Sequence, residues 1–374
     1  MAENSSIPLP SEARYGPGNN VLLKVLAIVL FVYGFILSIT LLGIGFKLFG
    51  TGLTSALFKA TANPLVALAI GILGTVLVQS SSTTTSLIVG MVGAGTLPFG
   101  SAVPMVMGAN VGTSITNTLV SLAHISRSDE FKRAFAGSTV HDFFNICSVI
   151  VLLPLQVKFN IVGASSHLVE AVFEGFGGLK FSSPLKLITK PVAEAIAGGL
   201  GDNGYLVVVA AIVLLLLSLR YLVKTMKSLV LSRIEQFFQR YVFRTPALGF
   251  ILGIFVTVLV QSSSITTSVV VPLLGAGVLT LQQIYPYTLG ANIGTTITAF
   301  LASFATGSVE AVAIAFAHLI FNCYGIIIFW PLKVIPITLA KRLSELTLKS
   351  KLIPAAYILV VFVIIPGAII WLGT

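Results

Sequence analysis

The sequence predicts an all-α integral membrane protein built from two inverted repeats, each with a re-entrant helical hairpin, and about seven full transmembrane helices in all. Three observations lead there. Only 9% of the 374 residues are charged while 56% are hydrophobic, with a mean hydropathy of +1.02, and a water-soluble domain cannot cover that much apolar surface with so few charges. Seven apolar stretches, at 22–44, 101–122, 134–156, 204–223, 283–304, 310–332 and 352–373, approach or exceed the roughly 20 helical residues that span a hydrocarbon core. The chain also matches itself at an offset of 182 residues: 64–116 aligns without a gap on 246–298, with 27 of 53 positions identical, which marks a duplicated unit.

Taken in order, residues 1–20 carry Pro8, Pro10 and Pro17 with few apolar side chains, and read as a short disordered cytoplasmic tail without signal-peptide features. Residues 21–156 form the first repeat: a span, a hairpin at 64–98 and two spans. An external amphipathic linker at 157–203 follows. Residues 204–333 repeat the plan with a hairpin at 246–280, then come a cytoplasmic amphipathic segment at 334–351 and a final span at 352–374. Three spans separate the hairpins, an odd number, so the second enters from the opposite face.

Net charge is +10, which in a soluble protein would suggest nucleic acid. Its distribution here follows membrane orientation instead. Arg127, Lys132 and Arg133 share one loop, 220–244 holds six basic residues and 333–351 five; these are predicted cytoplasmic, together with the N-terminus. Cys147 and Cys323 fall inside predicted spans and carry no disulfide argument.

The hairpins hold the most informative residues. Each has a QSSS run, Gln79, Ser80, Ser81 and Ser82 in the first copy and Gln261, Ser262, Ser263 and Ser264 in the second. Each run interrupts an apolar stretch whose halves, 65–78 and 84–97 in the first copy, are too short to cross a bilayer. Non-helical backbone at membrane depth is tolerated only in protein or beside a watery cavity, and broken helices converging from inverted repeats are the architecture of secondary transporters. Hydroxyls, an amide and backbone N–H groups at a helix start suit an anion. No Arg or Lys lies inside either hairpin, so cations carried with the anion are the natural neutralisers. The GANVGTSIT and GANIGTTIT stretches offer Asn110, Thr113, Thr116, Asn292, Thr295 and Thr298, neutral oxygen ligands of the kind hard cations prefer. Thr113 with Thr116, and Thr295 with Thr298, are spaced to share a helical face.

Other readings stand beside these. A Ser/Thr cluster in a membrane helix also serves as helix–helix glue, although its recurrence at an aligned position favours a site. Gly71, Gly74, Gly90 and Gly93 are read as packing residues. Asp142 is the one acid clearly inside a predicted span, a candidate for structural pairing or coupling; the aligned Asn145 and Asn322 share that reading, and His141 and His318 are read as core histidines.

These residues resemble the type II sodium-dependent phosphate cotransporters. The resemblance rests on the paired QSSS runs, the GAN(V/I)GT segments, FKRAFAGSTVHDFFN at 131–145 followed by SVIVLLPL, and SSPLKLITKP at 182–191, and covers about 25–335. It implies sodium-driven symport of inorganic phosphate by alternating access in a plasma or bacterial inner membrane. Phosphate then lies between the two QSSS tips, sodium ions are the coupling ions, and no cofactor and no nucleic acid are involved. By likeness Gln261, Ser262, Thr295 and Thr298 are sodium ligands, with Gln79, Asn110, Thr113 and Thr116 their first-copy equivalents; the division between the two ions stays open. The chain departs from the family where GAN replaces GSN, leaving Ala109 and Ala291 only carbonyls. Arg127 occupies the place of an aspartate in electrogenic animal members, and the external segment lacks the cysteine pair and glycosylation sequons of animal relatives, which points to a compact, bacterial-type member. A channel is the competing transport class, and an intramembrane enzyme using His141, Asp142 and a serine the competing chemistry; no GxSxG-type nucleophile motif supports the latter.

Overall fold

The computed structural model describes residues 21–113, 115–175, 182–241 and 245–373, so the expected N-terminal tail lies outside the described residues. Among these the chain is helical with no strand. In chain order the helices are α1 Val21–Leu48, α2 Gly50–Ala60, α3 Pro64–Val78, α4 Ser81–Gly93, α5 Phe99–Gly112, α6 Ile115–Ser121, α7 Ser128–Phe159, α8 Ile161–Gly175, α9 Ser182–Gly199, α10 Gly204–Tyr241, α11 Pro246–Val260, α12 Ser263–Ser268, α13 Val270–Gly275, α14 Leu281–Thr306, α15 Val309–Phe329, α16 Val334–Leu346, α17 Ile353–Leu359 and α18 Ile365–Gly373.

Among the described residues, five helical segments are long and apolar enough to cross a membrane: Val21–Leu48, Ser128–Phe159, Gly204–Leu229, Val309–Phe329 and Ile353–Gly373. The sequence expectation was seven. The stretch at 101–122 is not one helix, because α5 ends at Gly112 and α6 begins at Ile115. The stretch at 283–304 is one helix of 26 residues, α14, but its Gln, Asn and Thr content keeps it outside the apolar set. Helix α2 was not anticipated; it meets α3 at a bend of 105°. The last span passes through a π-helical turn at Val360–Ile364, next to Pro366, which has no N–H to offer the Phe362 carbonyl.

The outer scaffold is an antiparallel pair, α1 against α10. Gly45 lies against Val207 and Val208, Gly34 against Ser218, and Phe31 stacks on Tyr221 with ring centroids 5.7 Å apart. Large apolar side chains on their outer faces, such as Leu22, Leu26, Val209 and Val213, are exposed, as lipid-facing residues are.

Both copies of the duplicated unit pack by the same device. A Cβ on Gly71 would lie 2.0 Å from the Met105 carbonyl oxygen and one on Gly108 2.0 Å from that of Leu68, which locks α3 onto α5. At the 182-residue offset, a Cβ on Gly253 would run into the Tyr287 carbonyl and one on Gly290 into that of Phe250, which locks α11 onto α14. Small residues permit such close backbone approach in apolar surroundings, where packing drives helix association. Of the other glycines read as packing residues, Gly90 faces Leu42 and Gly93 faces Thr306.

Candidate functional site

Each QSSS run sits at a helix break with the same local grammar. Helices α3 and α11 both begin with proline at the first turn behind a capping side chain, Asn63 or Thr245, the position where proline's missing N–H costs nothing. Both end on a left-handed glutamine, Gln79 at φ 54° and Gln261 at φ 59°. Glycine is the residue that adopts this conformation without strain. Glutamine holds that conformation in both copies. The next residue caps the following helix: the Ser80 hydroxyl accepts from the Thr83 N–H at 3.2 Å and from the Thr83 hydroxyl at 2.9 Å, and the Ser262 hydroxyl accepts from the Ile265 N–H at 3.4 Å. A serine hydroxyl has one hydrogen to donate besides its acceptor sites, so a capping serine keeps its donor for something else.

The two tips touch. The Ser82 hydroxyl donates to the Gln261 carbonyl at 3.5 Å and the Ser264 hydroxyl to the Thr113 carbonyl at 3.2 Å, while Asn117 Nδ2 donates to Thr267 Oγ1 at 2.6 Å. Gln79, Ser80, Ser82, Gln261, Ser262 and Ser264 line one cavity of about 520 Å³, together with Thr116. Ser81 and Ser263 are buried and do not line it.

The expected cation ligands divide. The Thr298 hydroxyl donates to Gln261 Oε1 at 3.1 Å, so those two are brought together, and Gln261 Nε2 also donates to the Val258 carbonyl. Thr116 lines the cavity, and its buried hydroxyl has no partner. Thr295 and Thr113 instead donate back to the Ala291 and Ala109 carbonyls, at 2.9 and 3.0 Å. Thr113 and Thr116 do not share a helical face, since the break after Gly112 falls between them; the Thr113 carbonyl is turned to Ser264.

Asn110 and Asn292 are committed elsewhere, to a buried polar chain that sequence reading did not assemble. His141 Nε2 lies 2.6 Å from Asn292 Oδ1, Asn292 Nδ2 donates to Asn145 Oδ1 at 2.8 Å, and Asn145 Nδ2 donates to the Asn110 carbonyl at 2.9 Å. His318 Nε2 lies 3.2 Å from Asn110 Oδ1. With the amide oxygens accepting, each histidine carries its proton on Nε2, an assignment from the network. Each copy's histidine thus meets the other copy's asparagine. The available signal was His and Asn four apart in both copies, at 141/145 and 318/322. Asn322 itself donates to the His318 carbonyl at 3.0 Å, and Asp142 Oδ2 accepts from the Tyr357 hydroxyl at 2.9 Å, which ties the final span to α7. Arg127 pairs with Glu130 at 3.1 Å on the surface.

The profile of the Na+/Pi-cotransporter family matches residues 30–181 and 214–329. The chain belongs to this family. Sodium-dependent phosphate transport protein 2A of Ovis aries is 35% identical over 434 residues, spanning 94% of this chain and 68% of that protein. The 2A protein of Rattus norvegicus is 34% identical over 93% of this chain and 67% of its own length, and the 2B protein of Homo sapiens 30% over 92% and 64%. No solved structure matches. These Na+/Pi-cotransporter relatives are transport proteins, not enzymes, which removes the intramembrane-enzyme reading of His141, Asp142 and a serine, and the several apolar helices make the chain a multi-pass membrane protein.

Proposed function

We propose that the chain is a secondary active symporter that couples inward sodium flux to uptake of inorganic phosphate by alternating access. The observation that carries this is the convergence of both QSSS tips on one cavity, in a chain whose relatives are named as sodium-dependent phosphate transporters. The two copies, 21–156 and 204–333, insert in opposite senses as re-entrant hairpins, joined by the external linker 157–203. The segment 334–351 lies on the cytoplasmic side with the N-terminus.

Phosphate sits between the tips. Ser80 and Ser262 cap their helices with oxygen lone pairs and direct their hydrogens to the anion, while Ser82 and Ser264 exchange the Gln261 and Thr113 carbonyls for phosphate oxygens. Ser81 and Ser263 support the turns from behind. Sodium is held by Gln261, Ser262 and Thr298, with Thr295 one turn away; Gln79, Thr116 and Thr113 supply the first-copy counterpart. Asn110 and Asn292 act on the site through the histidine network, and Asn145, Asn322 and Asp142 keep that network and the last span in place. Coupling follows because an anion in a low-dielectric site is poorly compensated until cations arrive.

Proteoliposomes with an inward sodium gradient are expected to accumulate labelled phosphate above the outside concentration. Equal uptake with potassium, or flux that never runs uphill, would instead identify a channel. Ser264→Ala is expected to raise the phosphate half-saturation and Thr298→Ala the sodium half-saturation; normal transport by both would remove the site.

A further inference from the structure

The cavity that reaches both tips has a third wall that the QSSS repeat does not provide. It comes from α10, where Leu216, Arg220, Val223, Lys224 and Lys227 line the same space. Residues 220, 224 and 227 are spaced i, i+4, i+7 and lie on one face of the helix. They sit about 24–34 Å along α10 from its start at Gly204, and so at the opposite end of the α1/α10 pair from Gly45. All three side chains are exposed at the rim, and among the described residues none of them takes part in an ion pair and no acidic side chain lines the cavity.

Membrane orientation alone explains basic residues at this end of a span. It does not explain why three of them share the face turned to the tips with no described carboxylate among them. We propose that Arg220, Lys224 and Lys227 form an oxyanion waiting site on the cytoplasmic approach to the QSSS tips, which concentrates inorganic phosphate at that mouth. This rests on the reading of the tips as a phosphate site. Exposed cations are individually weak, but a cleft lined by one sign of charge raises local counter-ion concentration and encounter rate by about 10–10³-fold, an effect that salt screens.

The test uses the full chain in vesicles of phosphatidylcholine alone and in vesicles containing anionic lipid. The wild type is compared with the triple variant Arg220→Gln, Lys224→Gln, Lys227→Gln and with the charge-keeping set Arg220→Lys, Lys224→Arg, Lys227→Arg. Half-saturation for inorganic phosphate is read by exchange, separately from each membrane face, and orientation by thiol labelling at Asp202→Cys. The expected result is a roughly tenfold rise for the neutral variant at the α10 mouth only, closing at high salt, with the charge-keeping set near wild type and the gap present without anionic lipid. An unchanged value, an equal rise from both faces, or an inverted orientation in the labelling would overturn the proposal. A gap seen only with anionic lipid would also overturn it, by assigning the wall to a lipid headgroup. Wild-type protein that exchanges no phosphate would refute the symporter reading itself, and the wild-type arm reports that first.

Discussion

The two copies of the duplicated unit share half their residues over 53 positions and differ in where their helices break. In the first copy α4 runs unbroken from Ser81 to Gly93 while the companion helix is interrupted between α5 and α6; in the second the post-tip helix carries only a one-residue irregularity at Val269, which keeps helical angles (φ −64°, ψ −33°), while α14 runs unbroken. Part of this is local chemistry. Pro272 stands where the first copy has Gly90, and a proline inside a helix leaves the carbonyl four residues back, here that of Ser268, without its partner. The other break is tertiary. Asn110 gives its carbonyl to Asn145 and Thr113 gives its carbonyl to Ser264, whereas in the second copy Asn322 turns back to its own helix. The tips differ accordingly: Gln261 is braced by Val258 and Thr298, while Gln79 is exposed at the same left-handed angle. Identical motifs thus yield one braced and one open half-site.

The largest expected effect tests what the copies share. Gly108→Ala and Gly290→Ala each drive a Cβ into a backbone carbonyl and are expected to cost about 3 kcal/mol or more, seen as lost monodisperse protein or a collapsed melting temperature in detergent. Gly100→Ala, in open space on the same helix as Gly108, is expected to be neutral or stabilising by up to about 1 kcal/mol. A large effect in only one copy would break the equivalence.

Next in size, Asn292→Leu strands the buried His141 N–H and is expected to cost about 1–3 kcal/mol by thermal unfolding, with Asn110→Leu similar through His318. Adding His141→Phe to Asn292→Leu should recover part of the loss; strict additivity would show that the crossed pair is not a coupled unit. Smaller still, and directed at the difference between the half-sites, Thr298→Ala removes one hydrogen bond of about 1 kcal/mol. It is expected to raise the sodium half-saturation about fivefold, against less than about twofold for Thr116→Ala. A reversed order would place the working cation site in the first copy. The smallest effect has opposite signs in two assays: Gln79→Gly relieves a left-handed residue and should stabilise by up to about 1 kcal/mol, while lowering phosphate transport. If both readouts improved, the Gln79 amide would have no part in the site.

Much of this was legible in the sequence because it depends on local chemistry. The offset of 182, the breaks at the two QSSS runs and the amphipathic character of α8, α9 and α16 all follow from periodicity and proline placement. The split of α5 from α6 was not, since GANVGTSIT and GANIGTTIT are nearly the same string and only the partners of Asn110 and Thr113 separate them. The crossed histidines needed a gap in the repeat alignment and knowledge of which copy each faces. In the sequence the α10 wall is a basic stretch that membrane orientation accounts for, because a helix periodicity names a face without naming what it looks at.

The crossing of His141 to Asn292 and of His318 to Asn110 bears on how such a chain can arise. A half-length polypeptide with one copy would carry one histidine and one asparagine, neither able to reach a mate within itself. Two such chains meeting head to tail would satisfy both at once. An arrangement of this kind therefore needs both copies present, in one chain or as two, before either histidine is paired.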